Sequence, residues 1–296
     1  MENRLKKFPL HMTKKKKFLS KFRFNYKKHG PIGLINVFLG KIGFKYKIVS
    51  ELNRVIIWHG KNIAKMCNNK IISGFYKGVK IEINKNWNTL DAASKYLGVY
   101  ELEVQECIVN LQKKRKSKKK YLVNLGAGEG YHPIALLKKN FFDRAILYEI
   151  DKQGQNLIKK NSYDNKVSKK IEILGQAKID FLNNTHFKNI RLADCFFLFD
   201  IEGDEFKLLN KKNILKLKKS NLLIELHPMY KINDKRQDKV SLIKNLKKFF
   251  KIKILTTTNR DLSKFKFLDS ISDNEKWLLV SEGRPEKMEW LICVPK

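Results

Sequence analysis

From residue 121 onward, short apolar runs alternate with stretches in which apolar residues recur every three to four positions. The runs at 121–125, 145–150, 171–175, 195–200, 221–227, 251–257 and 289–294 predict strands, and most intervals between them predict helices. Helices alternating with strands cover both faces of a sheet, so the pattern predicts an α/β fold with a doubly wound, mainly parallel, seven-stranded sheet. The interval 259–288 lacks helical spacing and reads as an irregular loop or hairpin leading into an antiparallel last strand.

Upstream the pattern changes. Ile48, Leu52, Ile56, Ile57 and Ile63 recur at helical spacing within 46–66, predicting a helix. Residues 71–76 and 79–83 flank Lys77-Gly78 and predict a hairpin, its second arm alternating Val79, Ile81 and Ile83 with polar neighbours. A short helix at 91–97 stops at Gly98, and another at about 100–112 gathers Val104, Cys107, Ile108 and Leu111 on one face. The expected organisation is a basic arm (1–30), a helical and hairpin extension (31–118) and a sheet domain (119–296).

Composition changes this picture little. The 296 residues carry a net charge of +34, which favours polyanionic partners in general. The excess is nearly all Lys and is scattered along the chain, where phosphate-reading sites favour Arg forks. The Lys113–Lys120 run reads as a solvated connector into the first strand. Cys67, Cys107, Cys195 and Cys293 are far apart, so neither a disulfide framework nor a zinc motif is expected, and the reducing cytoplasm is the expected compartment. The apolar stretch 32–44 is broken by Asn36, Gly40, Lys41 and Gly43, which excludes a signal peptide core or membrane span there.

The candidate chemistry begins at Asn124-Leu-Gly126-Ala-Gly128-Glu-Gly130, between the first predicted strand and helix. Glycines at a strand-to-helix turn let a ligand approach backbone N–H groups. A dinucleotide fingerprint needs its third glycine one position later, where this chain has Tyr131, so NAD is not expected. Glu149 closes the second strand about 20 residues on, where a carboxylate can accept both ribose hydroxyls. Asp200 and Glu202 follow the fourth strand, and Glu225 and His227 alternate on one face of the fifth. In a parallel sheet these carboxyl ends line the ligand crevice. Asp204 and Glu205 fall in a first helical turn, where acids suit the helix dipole.

Together Val123–Gly130, Tyr148-Glu149, Asp200-Ile-Glu-Gly203 with Glu205, and Ile224-Glu-Leu-His-Pro228 resemble the FkbM family of class I S-adenosylmethionine-dependent methyltransferases. Tyr100-Glu101 and Ser281–Pro285 also look family-like, and the resemblance covers about 70–296. It implies a class I methyltransferase-like Rossmann fold, S-adenosylmethionine as cofactor, and methyl transfer to a hydroxyl of a sugar, glycan or secondary metabolite. Gly126, Gly128, Gly130 and Glu149 are then expected to bind the cofactor, with Gln176 at the adenine edge and Tyr100 and Glu101 nearby. Asn124 departs from the acid that many members carry; its amide orients the turn but adds no charge toward a sulfonium or ammonium group. His227 is expected as base, with Asp200 and Glu202 orienting acceptor or cofactor and Glu225 serving either the imidazole or the acceptor. A metal site on Asp200, Glu202, Glu225 and His227 lacks a tight ligand spacing, so no metal is expected. The rival readings are a nucleic-acid methyltransferase, suggested by the charge, and a catalytically silent cofactor-binding protein, suggested by Asn124.

Overall fold

The computed structural model describes residues 31, 32, 34, 35, 38, 51–83, 89–114, 118–183, 185–227, 235–284 and 288–296. The basic arm and Pro228 lie outside these residues, as does part of the 113–120 run. The chain divides into two compact units, Met1–Ser50 with Pro228–Lys235, and Glu51–His227 with Arg236–Lys296. The described residues of 31–38 in the first unit are helical.

The second unit runs α1 (Glu51–Met66), α2 (Ala92–Leu97), α3 (Leu102–Lys113), β1 (Tyr121–Leu125), α4 (Tyr131–Lys138), β2 (Arg144–Tyr148), α5 (Lys152–Asp164) and β3 (Ile171–Leu174). It continues through β4 (Cys195–Phe199), α6 (Glu205–Leu208), α7 (Lys211–Leu217), β5 (Asn221–Glu225), α8 (Lys235–Leu246), β6 (Phe250–Thr256), α9 (Asp273–Leu279) and β7 (Glu289–Pro295). The strands form one seven-stranded sheet in the order β3-β2-β1-β4-β5-β7-β6, with β7 antiparallel to both neighbours. This is the mainly parallel, doubly wound sheet that the alternating pattern predicts.

Side chains of successive strand residues point to opposite faces, and two apolar cores result. Leu122, Leu147, Phe196, Leu198, Leu223 and Trp290 belong to one, which also takes in Ile63, Tyr76, Ile81 and Val104 from the upstream segments. Val123, Leu125, Phe197, Phe199, Leu222 and Ile224 belong to the other. Strand β4 (Cys-Phe-Phe-Leu-Phe) is buried throughout, as a central strand covered on both sides must be.

Two local expectations need correction. Residues 71–83 carry no strand: one isolated bridge joins Lys70 and Lys80, although Ile71 N–H still donates to Val79 O at 2.8 Å. Val79, Ile81 and Ile83 are buried as their alternation implies, but the loop packs on α2 rather than pairing along its length. Gly98 makes this docking feasible, because a side chain there would collide with the Ser73 carbonyl. The supposedly irregular 259–288 contains α9, started by a capping box in which Ser272 and Glu275 bond reciprocally. Seven residues are too few for their apolar period to stand out in the sequence.

The strand order reverses between β1 and β4: β2 and β3 lie to one side, β4 and β5 to the other. Leu125 pairs with Phe199, so the residues that follow, Gly126 and Asp200, leave the sheet side by side at the switch point. Asp200 N–H donates to Leu125 O at 2.9 Å. A side chain at Gly126 would collide with the Asp200 carbonyl, so glycine is required where the two exits touch. In open α/β sheets this crevice is where ligands bind.

Candidate functional site

Two cavities open at the switch point, and Gly126 and Asp200 line both. The first, about 540 Å³ counting the space open at its mouth, is lined by Tyr148, Glu149, Ile150, Gln176, Ile201 and Leu208 among others. Its organising group is Glu149, at the end of β2. One carboxylate oxygen accepts Gly128 N–H at 2.7 Å, the other accepts Asp151 N–H at 2.7 Å, and the pair fixes the glycine turn against the next strand. Burial raises the Glu149 carboxyl pKa against the lowering effect of these amide bonds. Gly154, at the start of α5, must be small because a Cβ there would press on the Glu149 side chain at 3.0 Å.

The second cavity, about 490 Å³ by the same measure, lies toward Tyr100, Glu101, Glu129, Tyr131, Glu225 and Trp290. Its walls are acidic and aromatic in a strongly basic chain. Glu101 adopts a left-handed backbone (φ 45°) immediately before α3, a conformation unusual for a side chain of this size. The turn is held by Glu101 N–H donating to Glu282 Oε1 at 3.0 Å, and Glu282 itself has φ 59°. The Glu101 carboxylate meets His132 Nε2 at 2.8 Å and Arg284. Burial would raise its pKa, but Arg284 and His132 outweigh that and hold it at about 2. Arg284 also donates to Glu225 at 2.7 Å and Glu282 at 2.8 Å, so one guanidinium ties three buried acids together. Lys95, on α2, pairs with Glu129 at 2.6 Å and Asp91 at 2.9 Å and stands 4.8 Å from the centre of the Tyr100 ring.

Behind Asp200 lies His227. Its Nε2 stands 3.3 Å from Asp200 Oδ1, 3.6 Å from Glu225 Oε2 and 3.9 Å from Glu202 Oε2. Glu205 is fully buried; it accepts His227 N–H at 2.9 Å and Gly203 N–H at 2.9 Å. Burial lowers the His227 pKa, but the Asp200, Glu205 and Glu225 carboxylates around the ring push it up to about 12. Burial, with Asp200 and Glu101 close by, pushes Glu225 well above the usual carboxylate range.

The expected site residues therefore divide between the cavities. Glu149 and Gln176 line the first; Tyr100, Glu101, Asn124, Gly128 and Glu225 line the second. Gly130 lines neither and instead caps α4 in a left-handed turn. Glu202 is exposed at the rim, with φ 52°. His227 is nine-tenths buried and lines neither cavity. Glu205, read from the sequence as a helix-end acid, is a buried brace for His227. Lys95, Glu129, His132 and Trp290 escaped sequence reading. Glu129, inside the glycine turn, and His132, two residues past it, carried a signal of position.

Fold and site thus define a Rossmann-like α/β protein with a bipartite crevice at its switch point. No family model matches the chain, and no curated protein matches it. Among solved structures it is similar to the methyltransferase domain of delta-N METTL16, with TM-score 0.49 and 12% identity over 79% of this chain and 96% of that one. It is also similar to precorrin-6y C5,15-methyltransferase from Geobacter metallireducens (TM-score 0.45, 11% identity, 72% of this chain and 93% of that one). A third is an O-methyltransferase from Bacillus cereus in complex with SAH (TM-score 0.43, 11% identity, 88% and 97%). At such identities these are likenesses of fold alone. No helix among the described residues is long and apolar enough to cross a membrane.

Proposed function

We propose that this chain is an S-adenosylmethionine-dependent O-methyltransferase of the FkbM kind, acting on a hydroxyl of a sugar, glycan or secondary metabolite. The observation that carries the reading is the meeting of two cavities at Gly126 and Asp200, one organised by Glu149 and the other walled by acids and aromatic rings. Glu149 retains acceptor capacity beyond its two amide bonds and fits ribose hydroxyls. Gln176 offers both a donor and an acceptor to an adenine edge. The second cavity fits the cationic end of the cofactor: Glu101, Glu129 and Asp200 bring the negative charge that Asn124 lacks. The cofactor, when bound, brings an electrophilic methyl group on a sulfonium.

Asp200 belongs to both cavities and its side chain is 38% exposed, so it faces the seam where cofactor and acceptor meet. We assign it the proton: Asp200 would accept the hydrogen of an acceptor hydroxyl as that oxygen takes the methyl group the bound cofactor would supply. His227, with Nε2 3.3 Å from Oδ1, orients Asp200 from behind. Asp200→Asn should lower turnover about 10²–10⁴-fold, and, because Asp200 also lines the cofactor's cavity, weaken S-adenosylmethionine by a smaller factor, less than about tenfold. The basic excess is scattered along the chain while acids gather at the crevice, so the small-molecule reading is preferred despite the +34 charge.

Calorimetry with S-adenosylmethionine, S-adenosylhomocysteine and NAD tests the cofactor. Binding of the first two is expected; binding of NAD alone overturns the reading. Cofactor binding with no turnover across a broad hydroxyl panel would favour the silent-protein alternative.

A further inference from the structure

We infer that Asp200 Oδ1, Glu225 Oε2 and His227 Nε2 form a site for a divalent cation of the Mn²⁺ kind, with Glu205 bracing the imidazole from the opposite side. One ligand atom from each of the three residues lies within 4.8 Å of the others. The distances from Nε2, 3.3 Å and 3.6 Å, exceed the roughly 2.7–2.9 Å of a charge-assisted hydrogen bond. They match ligand atoms that share an ion: two atoms about 2.1–2.2 Å from one cation, at roughly 90–120° to each other, stand about 3.0–3.8 Å apart. Glu202 Oε2, at 3.9 Å, stands at the exposed rim as a further oxygen donor.

The surroundings are those of a ligating histidine. The His227 side chain is nine-tenths buried, and its Nδ1 has no hydrogen-bond partner but lies 3.5 Å from Glu205 Oε1. Histidines that bind metals commonly point their second ring nitrogen at a carboxylate in this way, which fixes the tautomer and turns the other nitrogen to the ion. Glu205 is pinned by two backbone amides and cannot swing away. Arg284 takes Oε1 of Glu225 and leaves Oε2 for the cluster. Four acids (Asp200, Glu202, Glu205, Glu225) stand around the one imidazole of His227, with Arg284 on Glu225 alone among them, an excess of negative charge that a divalent ion offsets. One nitrogen with carboxylate oxygens suits Mn²⁺ or Mg²⁺ better than the thiolate-seeking metals.

The ion's use rests on the proposed methyltransferase reading: at the seam it would polarise an acceptor oxygen, leaving the second oxygen of Asp200 to take the proton. Its existence does not rest on that reading, and the test separates the two. Mn²⁺ is titrated into the full chain and the loss of its free aqueous electron paramagnetic resonance signal is followed, without acceptor or turnover. S-adenosylhomocysteine binding and thermal melting are measured on the same samples. The wild type should bind Mn²⁺, Mg²⁺ should compete, and Asp200→Asn and His227→Ala should each weaken Mn²⁺ at least tenfold. Glu205→Gln should weaken it about 10–100-fold. Folded protein that binds S-adenosylhomocysteine yet takes up no Mn²⁺ by about 1 mM overturns the cation site and leaves the cofactor reading intact. Equal Mn²⁺ affinity in wild type, Asp200→Asn and His227→Ala also overturns it. Mn²⁺ uptake lost in these variants, without S-adenosylhomocysteine binding in the wild type, supports the cation site and counts against the methyltransferase.

Discussion

The two cavities are built on different principles. The Glu149 side draws on residues from Gly126, after β1, to Leu208, in α6, and its glycine turn is fixed by main-chain amides around a single carboxylate. The Glu101 side is assembled from residues near 95, 101, 129, 200, 225 and 284, and its shape is fixed by charged side chains holding one another. A cavity whose donors are main-chain amides keeps those donors under most single substitutions, with Glu149 and the close-packed Gly126 and Gly154 as exceptions. A cavity built from buried charges fails as a unit, since removing one partner leaves the others desolvated and unpaired.

The largest effect should therefore come from Arg284. Arg284→Met strands Glu101 and Glu225 at side-chain exposures of 6% and 4%, and should lower stability by about 3–5 kcal/mol, read as a shift in the denaturant midpoint. Arg284→Lys should recover only part, because one ammonium cannot reproduce the guanidinium fork that reaches three acids. A loss under about 1 kcal/mol for Arg284→Met would mean that packing, not charge, holds the second cavity.

Glu149→Ala addresses the other side. It removes the acceptor of Gly128 and Asp151 amides, and S-adenosylmethionine affinity should fall about 10–100-fold by calorimetry, the worth of hydrogen bonds to a charged group. Stability should suffer less than in Arg284→Met, because the freed amides lie at a cavity that water can enter. The reverse ranking of the two stability losses would break the distinction drawn between the cavities.

The same difference decides what was legible in the sequence. The Glu149 cavity is local: a glycine turn after one strand and an acid after the next are visible as spacing, and both lie where the pattern puts them. The fold was legible for a similar reason, since each strand is a continuous apolar run. The second cavity has no spacing to read. Arg284 sits in an exposed-looking Ser-Glu-Gly-Arg turn, and nothing local says that its side chain reaches Glu101, 183 positions away. Asp200, Glu225 and His227 were legible as members because they end neighbouring strands. Their ordering was not, because whether an imidazole faces an acceptor or stands behind a carboxylate is set by burial. Glu205 shows the limit most sharply: an acid in a first helical turn and a buried brace for His227 look alike in sequence.

Acid titration sharpens the contrast. Glu101 is held at about 2 in the folded chain against an ordinary 4.5, so its pairing adds stability above the unfolded pKa and that stability is lost as pH falls from about 4.5 toward about 2. The displacement is worth about 3 kcal/mol. Glu101→Gln should be less stable at neutral pH and should flatten the acid limb of a stability-against-pH curve measured by denaturant unfolding. Glu149 is displaced upward instead, so its substitution should not flatten that limb. An unchanged acid limb in Glu101→Gln would show that Arg284 and His132 do not govern the carboxylate.

The smallest effect is expected at Asn124. The amide donates to Leu125 O and Gly126 O at 3.4 Å each, long and weak bonds that orient the turn from inside the second cavity. Asn124→Asp would replace those donors with an acceptor facing two carbonyls, and would add charge to a wall that already holds Glu101, Glu129, Asp200 and Glu225. If those acids suffice for the cationic end of the cofactor, the new carboxylate has little to offer. Affinity for S-adenosylmethionine should then change less than about threefold, and stability should fall by about 1 kcal/mol from the lost donors. A tenfold gain in affinity would show instead that the existing acids are neutralised by Lys95, His132 and Arg284 and that the cavity lacks charge of its own. In that case the network around Arg284 is a scaffold only, and the cofactor's cationic end must be bound by something other than these side chains.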